Sequence, residues 1–331
     1  MKWLWRGLGL LVVAAFLAFL ILRVEDTVPS EMRAKYGGAP SLFVTLADGT
    51  QVHLRDEGPR DAPAILLLHG SNADLHTWQN WVNALKSDYR VIRFDQIGHG
   101  LTGPASDADY SRDAFVDDLE GVAEALDLDR FVIGGNSMGG WIAAAYALQH
   151  PDRVEGLVLV DAAGAPIDQE GSGNLGFTLA RIPGVGALGM SILPRSVIER
   201  SLSQSVSNQA VVTDAAIDRY WELGRYPGNR AATLKRFATA RTPFSRQQMQ
   251  DLDVPTLILW GEDDALIPVA AAGWFGETIR DSRAIVYDDI GHLPHEETAR
   301  SPRDVKQFLK QLSATPQGDT EPRRSEPVQP S

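Results

Sequence analysis

The sequence predicts an α/β fold: a mostly parallel eight-stranded sheet with helices on both faces and an inserted helical cap. Three observations carry this. Short, continuous apolar runs such as residues 64–68 and 256–260 alternate with segments of helical periodicity. The dipeptide Asp48-Gly49, flanked by extended runs, marks one hairpin near the start. The alternation then stops once, over residues 165–245, and afterwards resumes.

Composition bounds the rest. The chain has 331 residues, 44% of them apolar and 22% charged, which excludes a mainly disordered, collagen-like or coiled-coil chain. With 31 basic and 43 acidic residues the net charge is −12, which argues against broad nucleic-acid binding. There is no cysteine, so disulfides, a thiol nucleophile, thiolate zinc sites and iron–sulfur ligation are excluded. No histidine–carboxylate cluster has metal-ligand spacing, so no metal is expected. No cofactor is expected.

In chain order, residues 3–22 are apolar apart from Arg6, and Trp3 and Trp5 stand where interfacial aromatics are common. A 20-residue helix reaches about 30 Å, the thickness of a bilayer core. Residues 1–23 therefore read as a single N-terminal membrane anchor, with the body exported to the periplasmic or extracellular side. The alternative is a cleaved signal peptide with Lys2 and Arg6 as its basic region. Residues 24–40 read as a linker. Strands are expected at 41–46, 51–55, 64–68, 90–94, 130–134, 156–160, 256–260 and 284–287. Helices are expected at 75–85, 111–126, 138–149 and 300–312. Residues 41–164 and 246–312 form the core. Residues 165–245, with helical stretches at 197–206, 214–223 and 231–240, are too long for a loop and form the cap. Residues 313–331 carry four prolines and almost no apolar side chains, the composition of a disordered tail.

Gly135-Asn136-Ser137-Met138-Gly139 fits G-x-S-x-G between a strand and a helix. Such a turn needs glycines because side chains there would clash, and it lifts the serine hydroxyl above the sheet edge. A serine hydroxyl needs a base, and the base needs an orienting acid. Two later strands end in Gly261-Glu262-Asp263-Asp264 and Asp288-Asp289-Ile290-Gly291-His292, at the carboxyl edge that also carries Ser137.

With His69-Gly70 after the third strand and Gly98-His99-Gly100 after the fourth, these motifs resemble the α/β-hydrolase superfamily over residues 41–312. The resemblance implies Ser137 as nucleophile, His292 as base and Asp264, three residues past the glycine of W-G-x-x-D, as acid. Asp263 is the competitor, and Asp161, after the sixth strand, a remoter alternative. An oxyanion hole is expected from the backbone amides of Met138 and Ser71, or Asn72. Asn72, His76, Trp78 and Trp141 are candidate pocket residues, the two tryptophans also fitting core positions. Of the other histidines, His53 reads as exposed on the hairpin, His69 as shaping the oxyanion loop, His99 and His150 as structural, and His295 as a surface residue.

The serine excludes relatives with aspartate at the elbow. Gly-Asn-Ser-Met-Gly-Gly is similar to the carbon–carbon hydrolases of aromatic-ring degradation. That group tends to have H-G-x-G-P-G in the first loop and tryptophan after the histidine, where this chain has H-G-S-N-A-D and Leu293. A carboxylesterase or lipase-like enzyme acting on a small apolar ester fits better, with the membrane as its other partner. A non-catalytic binding protein on the same fold is the remaining class.

Overall fold

The computed structural model describes residues 2–167 and 184–314. The strands are β1 (Ser41–Thr45), β2 (Gln51–Glu57), β3 (Ala64–Leu68), β4 (Arg90–Phe94), β5 (Phe131–Asn136), β6 (Val154–Val160), β7 (Thr256–Gly261) and β8 (Ser282–Tyr287). The helices are α1 (Lys2–Leu22), α2 (Pro29–Tyr36), α3 (Gln79–Leu85), α4 (Arg112–Ala125), α5 (Met138–Gln149), α6 (Val185–Ile192), α7 (Arg195–Ser205), α8 (Asp214–Gly224), α9 (Asn229–Ala238), α10 (Arg246–Gln250), α11 (Ala270–Thr278), α12 (Pro294–Glu297) and α13 (Ser301–Ala314).

The strands make one eight-stranded sheet in the order β1-β2-β4-β3-β5-β6-β7-β8. The β1–β2 and β2–β4 pairs are antiparallel and the others parallel, as a leading hairpin followed by strand–helix alternation requires. The central strands β3, β4, β5 and β7 are buried along their whole length, because helices cover both faces. One face packs Ile133, Leu159 and Ile258 against α4, α5 and α11. The other packs Leu67, Val158 and Leu259 against Trp81 of α3 and Val305 of α13.

Asp95, just past β4, joins the loops at the carboxyl edge. Its carboxylate accepts from the amides of Leu75 (2.8 Å) and Leu101 (2.8 Å) and from His53 Nδ1 (2.7 Å). His53, expected on the surface, is therefore fully buried, and its second nitrogen meets Ser41 Oγ at 2.8 Å. A pairing partner beneath the hairpin is invisible to a pattern read strand by strand.

Three further expectations concern the ends and the cap. Residues 24–40, expected as a linker, carry α2 and are bonded to the cap. Thr27 N donates to Arg225 O, and Met32 of α2 is buried with Leu101, Leu223 and Tyr226. The expected cap begins at residues that lie partly outside those described, and α6 to α9 make up its described part. From residue 315 onward the expected tail also lies outside the described residues, and α13 takes in Ser313 and Ala314.

The expected membrane anchor is overturned. Among the described residues, no helix is long and apolar enough to cross a membrane. The 3–22 run falls partly on side chains outside those described, and the backbone just after it is bonded to the cap, Val24 N to Ser191 O at 2.9 Å. The membrane as partner and the localisation drawn from the anchor fall with it.

Asp118 on α4 has one carboxylate oxygen without a hydrogen-bond partner among the described residues. Burial first, then Asp48, Asp117 and Asp107, push its pKa up to about 7. The folded chain thus holds a proton that the unfolded chain has already released. The stability this group contributes is complete below the ordinary carboxylate range and lost as pH rises towards 7. Asp118→Asn should match the parent at pH 4 and exceed it by on the order of 2 kcal/mol at pH 8, measured by urea unfolding. No gain at pH 8 would contradict this account.

Candidate active site

Ser137 sits between β5 and α5 at φ 53° and ψ −116°, a region that side chains rarely enter. Its neighbours make that conformation possible. A Cβ on Gly135 would strike the backbone of Gly139, and a Cβ on Gly139 would strike the carbonyls of Leu68 and His69. The turn is pinned on both sides: Ser137 N donates to Val160 O at 3.0 Å and Ala163 N to Ser137 O at 2.9 Å.

His292 is buried, and its Nδ1 lies 2.7 Å from Asp264 Oδ2. With Nδ1 turned to the carboxylate, Nε2 is the ring nitrogen left for another partner. Asp264 Oδ1 accepts from the amides of Leu266 (2.8 Å) and Ile267 (3.0 Å), which fixes the carboxylate. Asp263 is exposed and accepts from Ser207 Oγ at 3.1 Å, so it is turned towards the cap. Asn136, beside the serine, donates through Nδ2 to His292 O at 3.1 Å and to Val160 O at 3.2 Å. The histidine loop and the elbow are thereby tied together.

Asp161 is fully buried at the end of β6 and accepts from Gly261 N at 3.0 Å. Burial first, and then the neighbouring Asp264, raise its pKa well above the usual carboxylate range. Asp161, Asp264 and His292 each offer an atom within 4.8 Å of the others, a convergence that sequence spacing did not show.

The loop after β3 runs beside the serine. A Cβ on Gly70 would stand 3.4 Å from Ser137 Cβ and 2.7 Å from Asn136 Oδ1. The amide of Met138, first in α5, has no intrahelical acceptor because of its position. His69 shapes this loop: Nδ1 donates to Gly70 O (2.8 Å), Nε2 accepts from Gln96 N (3.1 Å), and burial lowers its pKa.

A family model for the alpha/beta hydrolase fold matches residues 63–184. A 2-hydroxy-6-oxo-2,4-heptadienoate hydrolase of Pseudomonas putida is 30% identical over 276 residues, 80% of this chain and 95% of its own. The chain belongs to the α/β-hydrolase fold family. This α/β hydrolase is also similar to a bifunctional esterase/perhydrolase of Acinetobacter calcoaceticus, 27% identical over 81% of this chain and 99% of that one. Among solved structures, a meta-cleavage product hydrolase from Pseudomonas fluorescens is 26% identical, with a TM-score of 0.70 over 82% of this chain and 97% of its own.

The hydrolase distributes the other candidate residues unevenly. Trp141 lines a small cavity with Tyr110, Phe115, Met138 and Arg236, and donates to Thr242 O at 3.2 Å. Trp78 is fully buried between Trp81 and His295 and is a core residue. His76 is bonded to Asp74 at 2.7 Å and lies edge-on to Tyr36, so it belongs to the seam between the core and α2. Asn72 has φ 63°, and its Oδ1 accepts from Arg236 at 3.0 Å and Thr233 at 3.3 Å. Ser71 Oγ lies 3.5 Å from Arg241. His295, expected on the surface, is fully buried, with Nε2 at 2.9 Å from Thr77 Oγ1. Burial, then His292, lowers its pKa to about 3.

Sequence reading missed Arg219 and Arg236, because their partners lie far away in the chain. Arg219 Nε donates to the buried Asp74 at 3.0 Å. Burial would raise the Asp74 pKa, but Arg219 and His76 hold it far below the usual range. Arg236, buried on α9, donates to Gly98 O at 2.6 Å as well as to Asn72, and burial with Arg241 nearby lowers its pKa to about 9.

Gly139→Ala tests the elbow. The added methyl meets main-chain carbonyls that cannot swing away, so urea unfolding should show a loss of about 2 kcal/mol or more. Unchanged stability would show that the turn does not depend on the missing Cβ.

Proposed function

We propose that this α/β hydrolase is a serine hydrolase that cleaves a carboxylic ester through an acyl-enzyme. The observation that carries the reading is the 2.7 Å bond between His292 Nδ1 and Asp264, on the sheet edge that presents the strained Ser137. In this reading Ser137 Oγ attacks the ester carbonyl and His292 Nε2 takes its proton. Asp264 orients the ring and stabilises the imidazolium. The backbone amides of Met138 and Ser71 receive the oxyanion. The alcohol leaves with the proton from His292, and water activated by the same ring releases the acid. Residues 165–245 act as the cap over a core of 41–164 and 246–312. The cavity beside Met138 offers the acyl group the apolar surfaces of Phe115 and Trp141, with Arg236 and Arg241 on its wall.

A second reading, carbon–carbon cleavage of a dienone, draws on the 30% identity to the heptadienoate hydrolase. Both readings need the same serine and histidine, so substrate tests separate them.

The purified protein should hydrolyse short p-nitrophenyl esters and be labelled by a fluorophosphonate. Ser137→Ala should abolish labelling and lower kcat by about 10⁴-fold or more. A parent protein that neither labels nor cleaves esters would overturn the proposal. Cleavage of a 2-hydroxy-6-oxo-dienoate with no ester turnover would favour the second reading.

A further inference from the structure

Glu297, which the chemistry above does not use, is buried at the end of α12. Its one carboxylate accepts four backbone amides. Gly291 N (3.1 Å) and Leu293 N (3.1 Å) flank His292, whereas Ser207 N (2.8 Å) and Asn208 N (3.0 Å) belong to the cap. All four donors are main-chain amides, two from each side of the joint. Hydrogen bonds to an ionised acceptor are stronger than neutral ones, and leaving such buried donors unmet is costly.

The same cap segment touches the histidine loop in other ways. His292 N donates to Ser205 O at 2.8 Å, and Asn208 Nδ2 donates to Glu297 O at 3.1 Å. Gly291 permits the approach: a Cβ there would stand 2.7 Å from Ser205 O and 2.8 Å from Val206 Cα. Ser207 Oγ reaches Asp263, the neighbour of Asp264, at 3.1 Å. The backbone on both sides of His292 is thus fixed to cap residues more than 80 positions earlier in the chain.

We propose that Glu297 is a positioning residue for His292. Its shared carboxylate joins the histidine loop to the cap, so the place of the ring depends on how residues 205–208 are seated. The proposal rests on the reading of Ser137 and His292 as nucleophile and base. A displacement of about 1 Å in a reacting group can cost about 100-fold in rate, so such a joint matters to turnover without touching substrate.

The test uses the full chain with two variants. Glu297→Gln keeps the size but turns an amide donor towards backbone donors. Ser207→Pro removes one amide from the cap side and leaves Glu297 and His292 intact. For p-nitrophenyl butyrate, Glu297→Gln should lower kcat by about tenfold or more with KM within about twofold. Ser207→Pro should lower kcat by about threefold or more with the same constancy of KM. Thermal melts well above the assay temperature establish that both variants are folded. A folded Glu297→Gln with parental kcat, an effect on KM alone, or parental kcat in Ser207→Pro would overturn the proposal. If the parent shows no ester turnover and no fluorophosphonate labelling, the functional reading fails instead. The joint is then decided by NMR of the His292 ring. Its resonances should shift in both variants, and unshifted resonances in either would overturn the proposal.

Discussion

Everything at this site depends on one strained residue. Ser137 is held at positive φ where β5 turns into α5, and the chain can pass there only because Gly135, Gly139 and Gly70 present no Cβ to their neighbours. Backbone bonds to Val160 and from Ala163 keep the turn from relaxing, and Asn136 carries its geometry across to the histidine loop. The parallel sheet supplies the rest: β5, β6, β7 and β8 all end at one edge, so residues more than 100 positions apart in sequence converge there.

Three buried acids near that edge are treated differently by their surroundings. Asp264 accepts two amides and faces the histidine ring. Asp161 has burial and the neighbouring Asp264 against ionisation, which raise its pKa. Glu297 accepts four amides and joins loop to cap. The cap adds its own charges: Arg219 reaches Asp74, and Arg236 reaches Asn72 and Gly98 on the loops next to the serine. In the described residues the cap is therefore bonded into the frame of the site at several points. Residues 205–208, directly against His292, are part of that frame.

Much of this is legible in the amino-acid sequence. The period-two and continuous apolar runs mark all eight strands, with β5, β6 and β8 each beginning or ending within two residues of expectation. The G-x-S-x-G turn and the two loop motifs point to Ser137, Asp264 and His292, because local backbone demands leave a local trace in sequence. Long-range partners leave none. His53 and His295 look like surface residues until Asp95 and Thr77 are seen beneath them. Trp78 and Trp141 are the same residue type, yet one is core and the other lines a cavity. The apolar run at the amino terminus shows the opposite hazard: hydropathy alone suggests an anchor, and no described helix meets the length and apolarity that a span needs.

In the proposed reaction Ser137, the Met138 amide and His292 act on one reacting centre. A crystal structure of the protein treated with a p-nitrophenyl alkylphosphonate tests it most directly. Phosphorus should be bonded to Ser137 Oγ, with the phosphoryl oxygen within hydrogen-bonding distance of Met138 N and the loop amide at Ser71, and His292 Nε2 facing the ester oxygen. An adduct on another residue, or a phosphoryl oxygen turned away from both amides, would contradict it.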